Sequence, residues 1–94
     1  MGVAIVIELA NPKTVDAVQT VLKSYQARLR ASIERTRRRL ARFEARYAIS
    51  TDHFLAEMTA EDLEGGDLEY VEWAGEAKLL AGLQAELEET QRAT

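Results

Sequence analysis

The sequence predicts an all-α protein with one short N-terminal β-strand, arranged as an elongated helical hairpin that assembles into a homodimer. Three observations predict it: a long apolar seam at helical spacing, a second amphipathic and acidic stretch after a Gly-Gly pair, and a β-branched run near the first residue. With 94 residues the chain forms a single domain, 1–94, at a size where a partner subunit often completes the core.

The β-branched run begins at Val3 and ends at Ile7, and with Glu8 and Leu9 after it, it predicts a strand at about residues 3–9. Asn11 and Pro12 stop the strand and start a helix, because an asparagine side chain suits the N-cap and proline suits the first helical position. One strand in a helical chain lacks a partner, so we expect it to pair with its copy in a second subunit. The alternative is an extended segment that packs on the helices.

The apolar seam predicts a long helix at about residues 12–48. Its steps alternate between three and four residues, apart from one additional four-residue step between Leu29 and Ile33, and Thr36 is its weak position. Such a helix is about 54 Å long, whereas a compact domain of this size has a radius of gyration of about 12 Å. The molecule should therefore be elongated. The seam comprises Val15, Val18, Leu22, Tyr25, Leu29, Ile33, Thr36, Leu40, Phe43 and Tyr47.

Two shorter helices complete the hairpin. A connector helix is expected at about residues 51–58, capped by Ser50 or Thr51. After the Gly-Gly turn, an acidic last helix at about residues 67–89 returns along the long helix and reaches back to near Leu29. Its apolar stripe comprises Leu68, Val71, Trp73, Ala74, Ala77, Leu80, Leu83 and Leu87, with Leu79 widening it.

The second subunit is expected where the returning helix does not reach. This surface consists of the strand and the first turns of the long helix, and the predicted dimer interface comprises Val3, Ile5, Ile7, Val15, Val18 and Leu22.

The two halves of the chain carry opposite charge. Residues 1–48 hold ten basic and four acidic side chains, a net +6, whereas residues 49–94 hold two basic and twelve acidic ones, a net −10. The arginines of the long helix therefore need a counter-charge, which the acidic helix, another protein or a nucleic acid could supply. We expect the acidic helix to supply it, through Glu69, Glu72, Glu76 and Glu86, with the surplus acids left for a partner.

Several classes of function are disfavoured by the residues present. We do not expect direct binding of nucleic acid, because the overall charge is −4 and the outward face of the strand, Ala4, Val6 and Glu8, offers no donor to a base or phosphate. His53 and Glu57 share one helical face, but two ligands do not make a metal site. With no nucleophile elbow and no phosphate-binding glycine loop, we expect no enzyme activity, no cofactor and no metal.

The composition favours a soluble cytoplasmic protein. The chain has no cysteine, which is typical of a reducing compartment. Its apolar opening is too short to span a membrane and lacks the basic leader of a signal peptide. We therefore expect no membrane partner.

The single tryptophan has two interpretations. Trp73 can close the hairpin core beside Phe43 or Tyr47. Alternatively, Trp73 and Tyr70, which share a helical face, can anchor a partner protein, since these residue types dominate interface hot spots.

Two stretches carry a resemblance to known proteins. Residues 43–47 read Phe-Glu-Ala-Arg-Tyr at the end of a basic helix, and residues 67–73 read Asp-Leu-Glu-Tyr-Val-Glu-Trp. The pattern resembles a family of short bacterial and archaeal proteins that look like antitoxins, encoded beside small toxin proteins. The resemblance implies a binder and neutraliser of a cognate toxin.

The toxin-binding surface is expected on the acidic half of the chain, because many such toxins act on nucleic acid and carry basic sites. The predicted partner-binding residues are Glu61, Asp62, Glu64, Asp67, Glu69, Tyr70, Glu72, Trp73 and Glu76. Two alternatives stay open: a structural coiled-coil adaptor or scaffold module, and a nucleic-acid-binding regulator.

Overall fold

The computed structural model describes residues 11–58 and 68–92, and every element within these ranges is an α-helix. The all-α prediction is confirmed for this part of the chain. The predicted strand at residues 3–9 lies outside it, and the homodimer stays a prediction. The helices are α1, Pro12–Tyr47; α2, Thr51–Glu57; and α3, Leu68–Arg92.

The molecule is an elongated hairpin, as predicted. Its principal extents are 55 × 24 × 18 Å and its radius of gyration is 18.7 Å, well above the roughly 12 Å of a compact domain of this length. The long axis matches the length of α1. α3 packs along α1, and α2 contacts both helices at the closed end of the hairpin.

The two ends of α1 follow from identifiable caps. The Asn11 side chain accepts a hydrogen bond from the backbone N–H of Lys13 at 2.9 Å, and Pro12 occupies the first turn, which confirms the predicted N-cap. The helix ends at Tyr47 because Ala48 adopts the left-handed conformation, with φ 58° and ψ 34°. This C-cap position usually holds glycine.

The cap of α2 is Ser50, whose hydroxyl accepts the backbone N–H of His53 at 3.1 Å. Thr51, the other predicted cap, is the first residue of the helix. Its side chain is therefore available for a tertiary contact. α3 continues to Arg92, beyond the expected end near residue 89. Thr90, in this extension, contacts Gln26 of α1.

The middle of the predicted seam forms the interior of the hairpin. Leu29, Ile33, Thr36 and Leu40 are all buried. The weak position, Thr36, satisfies its hydroxyl within α1 by donating to the carbonyl of Ser32 at 2.9 Å, so it costs little in the interior.

Gln26 is also buried, which the apolar pattern did not indicate. Its amide donates to the hydroxyl of Thr90 at 3.3 Å and closes the open end of the hairpin with a polar contact.

The predicted stripe of α3 is wrong at three positions. Leu68, Val71 and Leu79 are 71%, 41% and 46% exposed, and they do not face α1. The reason is the rotation of the helix, which places Trp73 at the centre of the buried face. At about 100° per residue, Leu68 and Val71 then lie about 140° and 160° away from Trp73.

Candidate protein-interaction surface

The closed end of the hairpin is an aromatic cluster around Trp73, which has no exposed surface. Its ring stacks on Phe54 with centroids 3.9 Å apart and planes 4° from parallel. Phe43 and Tyr47 stack on it as well, each at 5.5 Å. Aromatic pairs at these distances contribute beyond their buried area. All three helices therefore meet at one ring.

The Trp73 side chain is also hydrogen-bonded. Its indole N–H donates to the Thr51 hydroxyl at 3.0 Å, and the backbone N–H of Thr51 donates to the Glu44 carboxylate at 2.8 Å. A buried indole needs such a partner. Trp73 is thus a core residue, and its predicted role as a partner anchor is corrected, because it offers no surface to a partner.

Tyr70 lies at the margin of the same cluster and is half-buried. Its ring meets Tyr47 edge-on at 5.6 Å and Phe54 edge-on at 5.4 Å. Tyr70 therefore contributes to the core and presents only part of its surface to solvent.

Two of the acids predicted to bind a partner are paired with α1. Glu69 forms an ion pair with Arg46 at 2.9 Å and accepts the Tyr47 hydroxyl at 3.1 Å. Glu76 forms an ion pair with Arg39 at 3.4 Å. These are the interhelical counter-charges that the charge pattern predicted.

The other two expected counter-charges behave differently. Glu86 accepts a hydrogen bond from the Tyr25 hydroxyl instead of pairing with an arginine. Glu72 is exposed and takes part in no ion pair within residues 11–58 and 68–92. Glu72 is therefore available to a partner. Glu61, Asp62, Glu64 and Asp67 lie outside the described residues.

An open groove of about 680 Å³ separates this flank of α3 from α1. Glu76 borders the groove, and its Oε2 oxygen is buried and has no hydrogen-bond partner among residues 11–58 and 68–92. Arg42 is exposed at the rim and, in the described part of the chain, forms no ion pair. The groove is lined by Arg39, Arg42, Phe43, Arg46, Glu69, Glu72, Gly75 and Glu76.

The remaining arginines of α1 point to solvent. Glu34 pairs with Arg37 at 3.4 Å. Arg35 donates to the Ser32 hydroxyl at 2.9 Å. Exposed pairs of this kind contribute little to stability. Among the described residues, the positive charge of the exposed arginines of α1 is therefore largely uncompensated.

The start of α1 extends past the end of α3. Val18 is 37% exposed there, and Val15 and Leu22 are half-buried. Val21, which the seam did not include, is 66% exposed. These side chains form an apolar patch at the place where a second subunit is expected; Val3, Ile5 and Ile7 of the predicted interface lie outside the described residues.

A second exposed apolar patch lies on the side of α3 that faces away from α1. Leu68, Val71 and Leu79 belong to it. Gly82 lies on the same side, and Gly75 lies at its margin, where it also borders the groove. Sequence reasoning assigned the leucines and the valine to the core. Two glycines seven residues apart within one helix were the sequence feature that could have distinguished this side of α3 from its buried side.

The candidate metal ligands do not assemble into a site. His53 and Glu57 are exposed and contact each other at 3.2 Å. Within residues 11–58 and 68–92, no three histidine, aspartate or glutamate side chains lie close enough together to hold a metal ion. None of the helices in these ranges combines the length and the apolar character needed to cross a bilayer.

Comparisons with protein-family models, with curated proteins and with solved structures find no match to this chain.

Proposed function

We propose that this chain is a non-catalytic interaction protein, the antitoxin of a two-component pair, which binds and neutralises a basic toxin protein. The observation that carries the proposal is the exposed side of α3, which joins acidic groups to apolar side chains that the hairpin does not bury. An exposed apolar patch bordered by charge is typical of a protein-binding surface.

The charge of α3 favours a basic partner. Its basic residues are Lys78 and Arg92, and Arg92 is already paired with Glu88 and Glu89 at 3.6 and 3.1 Å. Within residues 11–58 and 68–92, Glu72 has no counter-charge. Such a surface speeds association with a cationic partner, because complementary fields steer the encounter.

Co-expression with the product of the adjacent gene tests the proposal. We expect the two proteins to co-purify, and we expect this chain to restore growth when the neighbour is toxic. Glu72→Lys should slow association in a salt-dependent way, whereas Glu57→Lys, on exposed α2, serves as the charge-matched control. The absence of both a complex and growth rescue would refute the antitoxin role.

A structural adaptor is a second candidate, supported by the exposed apolar start of α1 around Val18 and Val21. Sedimentation at micromolar concentration should show a dimer, and Val18→Asp with Val21→Asp should dissociate it. If the dimer forms but binds no neighbour-encoded protein, the adaptor becomes the better account.

A nucleic-acid-binding regulator is the third candidate, supported by the exposed Arg38 and Arg42 of α1. It predicts retardation of DNA that weakens steeply with salt. No retardation below about 0.1 M salt, where screening is still incomplete, would remove it.

A further inference from the structure

The side of α3 that faces solvent carries a continuous stripe, which we call the outer face: Leu68, Val71, Gly75, Leu79 and Gly82. The steps between its members are three, four, four and three residues, so the stripe stays on one side of the helix for about 21 Å. The three large side chains are 71%, 41% and 46% exposed. The outer face therefore has the spacing of a helix-packing seam, and none of the three described helices covers it.

The hairpin itself does not need the glycines of this stripe. A Cβ added at Gly75 or Gly82 meets no atom of the described residues within 4 Å, so close packing among these residues requires neither glycine. Glycine in a helix interior is less favourable than alanine. Both glycines nevertheless lie on the side of the exposed leucines. Their presence there is explained if the backbone of another helix packs closely against this side.

We propose that the outer face of α3 docks one helix of the toxin, a basic amphipathic helix whose backbone comes closest at Gly75 and Gly82. Leu68, Val71 and Leu79 would be the apolar anchors of that contact. This inference rests on the proposed function and names the surface that performs it. It moves the apolar anchor from the buried Trp73 to the outer side of the same helix.

The charges around the outer face select this occupant. α3 carries six acidic side chains and two basic ones, Lys78 and Arg92, and Arg92 is already paired within the helix. Two copies of α3 packed face to face would bring like charges together, which costs free energy. A partner helix flanked by lysine or arginine meets the opposite sign.

The first experiment compares two leucines of similar exposure. Leu79 is 46% exposed on the outer face and Leu55 is 41% exposed on α2. With the purified product of the adjacent gene as the probe, Leu79→Asp should raise the Kd by about tenfold or more, a loss expected for a buried interface anchor. Leu55→Asp should leave the Kd unchanged.

The second experiment uses the glycines, because their substitution separates binding from folding. Gly75→Ala and Gly82→Ala should each raise the Tm of the free protein, because alanine is the better helix former. The increase should not exceed about 8 °C. The same substitutions should weaken the complex by about tenfold, because the added methyl groups hold the partner backbone away. A variant that is more stable but binds less cannot be explained by unfolding.

The outcomes distinguish the inference from the proposed function. A wild-type complex that Leu79→Asp and both glycine variants leave intact would overturn the outer face as the docking surface while the antitoxin role stands. A wild-type protein that does not bind the probe would overturn both. If Leu79→Asp instead changes the sedimentation of the free protein, the occupant is a second copy of this chain, which also overturns the inference.

Discussion

The two long helices of the hairpin use their apolar residues differently. α1 concentrates them on one seam, and Leu29, Ile33 and Leu40 on that seam are buried against α3. α3 divides them between two sides: Trp73 lies at the centre of the buried side, while Leu79 is 46% exposed on the outer one. From Leu29 to Leu40 the apolar side of α1 is buried in the hairpin, whereas α3 keeps apolar side chains that the hairpin does not bury, which is what the proposed docking surface requires.

This comparison separates stability from function within one molecule. Most of the packing free energy should reside at the closed end, where Leu40, Phe54 and Trp73 form the buried cluster. The outer face contributes little to folding because water still contacts its side chains. Substitutions on the buried side of α3 should therefore lower the stability, whereas substitutions on the outer face should weaken partner binding and leave the stability nearly unchanged.

The largest effect is expected for Trp73→Ala. Removing this fully buried ring takes away three stacked contacts and leaves a cavity, so the free energy of unfolding should fall by about 3–5 kcal/mol. Urea denaturation followed by circular dichroism measures the change. Val71→Ala, on the outer side of the same helix, should stay within about 0.5 kcal/mol. Equal losses for the two variants would contradict the two-sided account of α3.

The next effect compares one leucine from each helix. Leu40 is 6% exposed in the seam of α1, and Leu40→Ala should cost about 2–5 kcal/mol of unfolding free energy because the cluster cannot fully collapse. Leu79→Ala should cost no more than about 0.5 kcal/mol. The same denaturation measurement checks both variants, and a large loss at Leu79 would show that the outer face is covered in the free protein.

The sequence was sufficient for the order of elements and for α1. Regular steps of three and four residues identify one side of α1 without ambiguity, and Asn11 with Pro12 marks its start through local chemistry. Interhelical pairs from Glu69 and Glu76 also followed from the opposite charges of the halves. These features depend on residues close in sequence or on net charge.

The sequence was insufficient where tertiary packing chooses among equivalent local solutions. Apolar residues surround α3, so periodicity alone could not tell which side faces α1, and Leu68 and Val71 were assigned to the core. The bulk of Trp73, together with the acceptor offered by Thr51, decides that rotation. The burial of Gln26 depends on Thr90, sixty-four residues away, and no local pattern reveals such a pair.

A smaller gain in stability is expected at the end of α1. Ala48 is held in the left-handed region at φ 58°, where the Cβ of an L-residue costs about 1–2 kcal/mol. Glycine avoids this cost but loses more entropy on folding, by about 0.5–1 kcal/mol. Ala48→Gly should therefore raise the free energy of unfolding by about 0.5–1 kcal/mol, measured by thermal denaturation. Ala45→Gly, inside α1, is the matched control and should lower it.

A still smaller effect is expected for the interhelical ion pairs. The Arg46 side chain is 67% exposed although it lies 2.9 Å from Glu69, and pairs of this kind contribute about 0–1 kcal/mol. Arg46→Gln should lower the free energy of unfolding by no more than that, and the loss should shrink as salt is added. Arg38→Gln, which removes an exposed arginine outside these ion pairs, is the control. If Arg46→Gln destabilised as strongly as Leu40→Ala, the pair would be part of the core.

The last effect is a change in titration at the open end of the hairpin, where α1 and α3 meet through polar groups. The hydrogen bond that the Tyr25 hydroxyl donates to Glu86 raises the pKa of Tyr25 above its ordinary value of 10.0, because the bond exists only while the phenol is protonated. The bond is therefore present at neutral pH and is lost as pH rises through the raised pKa of the folded protein.

Glu86→Gln should shift the ultraviolet titration of Tyr25 back toward 10.0. Glu88→Gln, two residues further along α3, is the control. Since the phenol is close to solvent, stability at pH 7 should hardly change, in contrast to the aromatic cluster at the closed end. An unshifted titration in Glu86→Gln would show that the helices do not meet at this end in solution.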